Sequence, residues 1–293
     1  MAVRQAIAAG ATRRSEHWED KDRFDGVNAK IVWPTDNVYG IPDLLPDRDI
    51  AVPRYLAPYR TRIRADEAPE DGASHFFLDD YRFEHLWRRP NATLSAAAKL
   101  GAVLTPDWSL YTNWPAAAHI FNTYRSRWMG RLWQEAGLRV IPSISWADAS
   151  SYHFAFEGVP MGGLVAVSTT GITTPTAKRL FAEGYREMIQ RLQPTRVLCY
   201  GPILPAVEGL CPVVEYPTRW KSIRAARKAA RLGGVDAVPP RRLPEAVLRE
   251  IKQEDAEAAM RGAALAGALA GVGRGEAARG EGEQLSLEEV WNQ

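Results

Sequence analysis

Three apolar runs in the middle of this chain each end in carboxylate and aromatic side chains: His75-Phe-Phe-Leu-Asp-Asp-Tyr81, Val103-Leu-Thr-Pro-Asp-Trp108 and Val140-Ile-Pro-Ser-Ile-Ser-Trp-Ala-Asp148. Short continuous apolar runs of this kind fit strands buried on both faces. Two further runs, Leu164-Val-Ala-Val-Ser168 and Arg196-Val-Leu-Cys-Tyr200, have the same character. Parallel α/β proteins gather their functional groups at strand C-terminal ends, so the feature marks a place for a site as well as a fold.

Helical segments separate the runs. One has Asn113 available as a cap, Pro115 for its first turn, and Ile120, Tyr124, Trp128 and Leu132 at four-residue spacing before Gly137. A second opens at Thr174-Pro175, carries Leu180, Phe181, Gly184, Tyr185, Met188 and Leu192 on one side, and stops near Pro194. Helix-then-strand alternation implies parallel pairing through right-handed crossovers. The reading counts five core strands, or six with Ile31–Trp33. An eight-stranded βα barrel needs about 250 residues. The expected fold is therefore α/β, a mostly parallel sheet with crossover helices, either open or closed as an abbreviated βα barrel.

Strand parity sorts the side chains. Val140, Ile144 and Trp146 oppose Ile141, Ser143 and Ser145, while Val165 and Val167 oppose Ala166 and Ser168. The bulky set is expected to meet helices and the smaller set to face an interior or cleft, where Thr105 and Asp107 share a parity. The candidate catalytic residues are Asp107, Asp79, Asp80, Ser145 and Tyr200, with Trp108, Tyr111, Trp146, Ser168 and Thr169 as ligand-binding candidates. Carboxylates at converging strand ends serve as an acid/base pair or hold a divalent metal through oxygen ligands. Aromatics beside them stack on a sugar or a nucleobase. Asp148 reads as the cap of the following turn. Arg125 and Arg127 fall on the solvent-tending side of their helix, placed to reach an anion or pair with a neighbouring acid. The loop Ser168-Thr-Thr-Gly-Ile-Thr-Thr-Pro175 matches neither a P-loop nor a dinucleotide fingerprint, so an ordinary capped turn is expected. No zinc spacing or nucleophile elbow is present, and which metal or cofactor binds is left unassigned.

A 46% hydrophobic content with 10 Trp supports a sizeable core, and a net charge of +2 gives no bulk electrostatic reason for a nucleic-acid or membrane partner. Cys199 and Cys211 form neither a CxxC pair nor a disulfide framework, and Cys199 reads as a buried free thiol. Met1–Ala11 lacks the apolar segment of a secretory signal, and no stretch nears the roughly 18 apolar residues of a membrane span. The expected location is the cytoplasm, that of the bacterial host for a phage protein.

Outside the core, residues 1–71 read as a proline- and charge-rich arm packing on the 72–217 α/β core. Residues 218–262 read as a basic and then charged helical segment, and 263–293 as a flexible Gly/Ala-rich tail with a short terminal helix. Residues 219–231 carry six basic residues and no acid, and Lys221, Arg224, Lys228 and Arg231 fall on one helical face with Arg227 beside them. Such a stripe is a candidate nucleic-acid contact. Leu285–Trp291, with a Ser286/Glu289 capping box, is a candidate protein-docking helix.

Taken together, Pro106-Asp-Trp-Ser-Leu-Tyr111, Asn122-Thr-Tyr-Arg-Ser-Arg-Trp-Met-Gly130, Val140-Ile-Pro-Ser-Ile-Ser-Trp146 and Val165-Ala-Val-Ser-Thr169 resemble the bacterial and phage family called domain of unknown function 4417. The resemblance spans residues 74–220, about half the chain. It implies a bacterial, phage or mobile-element origin and brings no activity or catalytic residue to carry over.

Overall fold

A computed structural model of the chain describes residues 26–28, 30–64, 67–218, 243–254, 256–257, 260 and 263. The basic stripe 219–231 and the terminal segment 285–291 lie outside the described residues. The chain divides into two units, Met1–Arg242 and Leu243–Gln293. In the second unit residues 245–254 are helical, with Leu248 N–H donating to Pro244 O at 3.1 Å.

In the first unit seven strands follow one another: β1 (Tyr55–Pro58), β2 (Gly72–His75), β3 (Ala102–Leu104), β4 (Val140–Ile141), β5 (Leu164–Ser168), β6 (Arg196–Tyr200) and β7 (Val213–Tyr216). Strands β1 to β4 pair in that order, as do β5 to β7, and every pairing is parallel. A parallel bridge between Ser143 and Ala166 joins the two sheets, with Ile144 N–H donating to Ala166 O and Ala166 N–H to Pro142 O, each at 2.8 Å. The helices are α1 (His85–Arg88), α2 (Pro90–Ala97), α3 (Ala116–Glu135), α4 (Tyr152–Ala155) and α5 (Pro175–Leu192).

Parallel strands in strict chain order carry all their right-handed crossovers on one face, so the other face stays dry only if the sheet rolls up on itself. In a flat sheet β2 and β6 would stand four strand spacings, about 19 Å, apart. Instead the rings of His75 and Tyr200 lie 4.3 Å centre to centre, and Tyr200 stacks on Phe77 at 5.5 Å. Tyr216 OH, at the end of β7, donates to Pro53 O just before β1 at 2.6 Å. The two sheets are thus rolled towards an abbreviated βα barrel, with no backbone ladder between β1 and β7 among the described residues. The segment read as an arm supplies its first strand, whereas Ile31–Trp33 belongs to neither sheet.

The expected parity holds along the third and fourth runs. Phe76, Val103 and Val140 pack outward on Met129, Leu132 and Trp133 of α3. Ile144, Val165, Val167, Val197 and Cys199 pack on Phe181, Tyr185 and Met188 of α5. Trp146 also points outward. A Cβ added at Gly184 would come within 2.2 Å of its Nε1, and that nitrogen donates to Leu180 O at 3.1 Å. Glycine inside a helix costs about 1 kcal/mol relative to alanine, and here it lets the indole lie flat against α5. Helix α5 starts as expected, with Thr174 Oγ1 accepting from Ala177 N–H at 3.1 Å and Pro175 in the first turn. Helix α3 does not start at an Asn113 cap. Pro115 is its N-cap, and no side chain closes that end.

Candidate functional site

The segments that follow β3 and β4 meet α3 at the strand C-terminal ends and build a small cleft with room for about one water molecule. Its walls include Pro106, Trp108 and Leu110 from the β3 side, Asn122, Ser126 and Arg127 from α3, and Ser143 and Ser145 after β4. Asp107 stands in the same segment, and the Ser145 hydroxyl hydrogen-bonds its carboxyl. Burial pushes the Asp107 carboxyl up to about 7, and the charge of Asp80 pushes the same way against Ser145 and Arg127. Asp80 is held from two sides, since Ser109 N–H donates to Oδ2 at 3.1 Å and Ser109 Oγ to Oδ1 at 3.0 Å. Burial raises Asp80 as well, opposed by those two bonds and by Arg125. Asp80 therefore has more hydrogen-bond donors than Asp107 to keep it ionised.

The two arginines depart from the sequence expectation. Both are buried, Arg125 at 8% and Arg127 at 2% exposure, because α3 is flanked by the strand ends on one side and by the 84–87 and 154–158 segments on the others. Arg125 donates to Glu84 Oε1 at 2.7 Å and Asn122 Oδ1 at 2.6 Å, and its guanidinium sits 4.3 Å from the Trp108 ring centre. Glu84 also accepts from Trp108 Nε1 at 2.9 Å. Arg127 donates to the backbone carbonyls of Glu157, Ser143 and Ala155 at 3.0–3.1 Å and to Ser126 Oγ at 3.2 Å. Burial lowers Arg127 to about 10, with Asp107 opposing. Arg127 thus staples the chain after β4 to α3 and leaves its charge on the wall of the cleft.

The other expected site residues separate. Asp79 is exposed and makes no cap bond to its turn. Asp148 caps the turn after β4, accepting from Ser150 N–H at 2.9 Å and Ser150 Oγ at 2.6 Å, and these bonds lower its carboxyl below the usual range. Trp108 is buried rather than on a rim, Trp146 is half-buried against α5, and Tyr111 is exposed. Tyr200 is buried in the barrel interior against His75 and Phe77. Ser168 Oγ accepts from Thr170 N–H and Thr169 Oγ1 donates to Pro202 O, so both hydroxyls serve the turns at the ends of β5 and β6. Cys199 is a free, buried thiol that burial raises to about 12.

The sequence reading missed Ser109, Asn122, Ser126 and Ser143. The signal was present as small polar residues on α3, Asn122, Thr123, Ser126 and Gly130, at the three- and four-residue spacing of a buried face. Ser143 Oγ is the most informative of the four: the residue is 3% exposed, lines the cleft, and its hydroxyl has no hydrogen-bond partner among the described residues. Buried hydroxyls are normally paired. Among the described residues no group of three or more His, Cys, Asp or Glu side chains stands ready to hold a metal ion.

Rolled parallel sheets with interleaved helices, and a carboxyl pair and a buried arginine near the strand C-terminal ends, define an α/β protein. The chain belongs to the family described as domain of unknown function DUF4417, whose model matches residues 33–217, from before β1 to just past β7. It is 44% identical to the Gene 1 protein of Mycobacterium phage L5 over 213 residues, 71% of this chain and 92% of that one. To the Gene 1 protein of Mycobacterium phage D29 it is 41% identical over 213 residues, covering 71% and 78% of the two chains. These relatives are phage-encoded. No solved structure matches the chain. No helix among the described residues is long and apolar enough to cross a membrane.

Proposed function

We propose that the cleft between β3 and β4 is a hydrolytic site in which Asp107 is the general acid/base and Asp80 its charged companion, acting on a sugar- or phosphate-containing substrate. The observation that carries the reading is the Asp107 carboxyl, raised to about 7, bonded to the cleft-lining Ser145 and under the charge of a second carboxyl, Asp80. A proton carrier works best when its pKa lies near the working pH, and an ordinary aspartate is about a thousandfold too acidic for that. The unpartnered Ser143 hydroxyl supports a bound polar group there. The free space in the cleft is about that of one water molecule, room for the attacking water of a hydrolysis.

Carboxyl-carbon NMR with labelled aspartate tests this directly. One resonance is expected to titrate near pH 7 and to vanish in Asp107→Asn. Hydrolysis of p-nitrophenyl glycosides or bis-p-nitrophenyl phosphate by the wild type is expected to fall on the order of a hundredfold or more in that variant. Titration of every aspartate near 4 would sink the reading.

The basic residues 219–231 carry a separate proposal, a nucleic-acid contact independent of the cleft. Replacing Lys221, Arg224, Lys228 and Arg231 by alanine is expected to weaken duplex DNA binding and to flatten its salt dependence by up to about four charges. Unchanged binding would remove the stripe as the contact.

A further inference from the structure

Between Asp80 and α2 the chain sorts its side chains by burial. Phe83, Leu86 and Trp87 lie in the core. Tyr81 is 78% exposed, and Arg82, Arg88 and Arg89 are exposed as well. The run holds its shape through its own backbone, with Phe83 N–H donating to Asp80 O, Leu86 N–H to Phe83 O and Arg89 N–H to His85 O at 2.9–3.1 Å. Two of its acids are engaged elsewhere: Asp80 is held by Ser109, and Glu84 by Arg125 and Trp108. A fourth cation comes from the end of β1, where the exposed Arg60 places Nη1 3.4 Å from Nε2 of His85, one turn before Arg88 in α1. Arg60 holds a φ of 59°, a conformation that is costly for a residue with a Cβ and that recurs at functional sites.

None of Arg60, Arg82, Arg88 and Arg89 has an acidic partner among the described residues. Asp79, at the head of the run, is the one exposed acid in residues 79–89. Like charges gathered in this way repel one another, and an anion with several charges relieves the repulsion. Guanidinium forks suit phosphate, which each grips through paired N–H bonds. The four arginines belong to three segments, the end of β1, the Asp80–Arg82 turn and the end of α1, so they match a chain of phosphates better than a single ion. The run exposes no large aliphatic side chain to enter a bilayer. It does expose the Tyr81 ring beside Arg82, a face on which a base stacks.

We infer that the exposed side chains of residues 81–89, with Arg60, bind a single-stranded nucleic acid, its phosphates on Arg60, Arg82, Arg88 and Arg89 and one base on Tyr81. None of these side chains lines the cleft or belongs to the 219–231 stripe, so this surface stands or falls apart from both. Binding here is tolerant of sequence, because every nucleotide brings a phosphate to an arginine and every base a flat face to the ring.

The test uses the full chain with Lys221, Arg224, Lys228 and Arg231 replaced by alanine, so that the stripe contributes nothing. Binding of a fluorescein-labelled twenty-nucleotide poly-dT strand is read by anisotropy from about 50 to 200 mM salt. Binding is expected. Its log–log salt slope is expected to shrink by about 2 when Arg82, Arg88 and Arg89 are all changed to alanine, since each lost phosphate contact removes about 0.7. Changing the same three to lysine keeps the slope. Tyr81→Ala is expected to weaken binding about tenfold and leave the slope alone, with Tyr81→Phe restoring the affinity. All of these side chains are exposed, so unaltered thermal unfolding separates a lost contact from a lost fold. Failure to bind poly-dT overturns the inference, as does a slope that the triple alanine change leaves intact. Capture by phosphatidylserine vesicles but not by poly-dT assigns the arginines to a lipid surface and overturns it. A preference for duplex over poly-dT, indifferent to Tyr81→Ala, overturns it too.

Discussion

Asp107→Asn is expected to stabilise the protein at pH 8 and to leave its stability nearly unchanged at pH 4. The sign follows from linkage. The folded Asp107 carboxyl titrates near 7, whereas the unfolded chain releases that proton near 3.8. Between those values the folded state holds the extra proton, so stability falls as pH rises through the window. Below about pH 4 both states are protonated and the site costs nothing. Above pH 7 the folded protein carries a carboxylate that burial disfavours, and each tenfold change in proton affinity is worth about 1.4 kcal/mol. The whole rise from the unfolded to the folded value corresponds to roughly 4 kcal/mol, and about 2–4 kcal/mol is the expected effect because Asp107 keeps some contact with solvent. Asparagine is uncharged at every pH and still accepts from Ser145. Urea denaturation of both proteins at pH 4.5, 6 and 8 reads the difference. A variant equally stable relative to wild type at all three values would show that Asp107 is not held protonated. A more stable but inactive variant is the pattern of a residue kept for chemistry at the expense of the fold.

Arg127→Ala is expected to destabilise the protein by about 3–5 kcal/mol, a large part of the roughly 5–15 kcal/mol that holds a typical domain together. The guanidinium serves three backbone carbonyls that have α3 on one side and the 143–157 segment on the other. Alanine leaves all three acceptors buried without a donor, at about 1–3 kcal/mol for each that water cannot reach. Lysine has one ammonium where arginine has a planar fork, so Arg127→Lys is expected to recover under half of the loss. A second readout is electrostatic. Arg127 holds the Asp107 carboxyl down against burial, so its midpoint is expected to rise above 7 in Arg127→Ala and to return in Arg127→Lys. A loss under about 1 kcal/mol in urea denaturation would mean that water replaces the guanidinium freely.

Much of the fold is written in local pattern. The runs at 140–141, 164–168 and 196–200 and the helix opening at Thr174-Pro175 were legible because apolar continuity and capping chemistry act over a few residues. Strands β1 and β7 were not. Tyr55–Pro58 ends in proline, which suits the outer strand of a sheet and hides it in a proline-rich stretch, and Val213–Tyr216 is four residues long with a charge inside it. Arg125 and Arg127 were misplaced for a related reason. Helical spacing separates faces but does not say how many faces a neighbour covers, and α3 is covered on more sides than an amphipathic surface helix.

Residue types a few positions apart were enough to settle the α/β class, the parallel direction of the strands and Asp148 as a cap, and they put Asp107 on the polar parity. Three outcomes needed contacts across the fold: the sheets roll up, Asp80 rather than Asp79 acts on Asp107, and Arg127 is buried against three backbone carbonyls. Those contacts join residues 16 to 163 positions apart, such as Arg127 with Ser143 and Tyr216 with Pro53. Burial then does what no spacing can announce: it takes water away from one aspartate and turns an ordinary acid into a group that exchanges its proton near neutral pH.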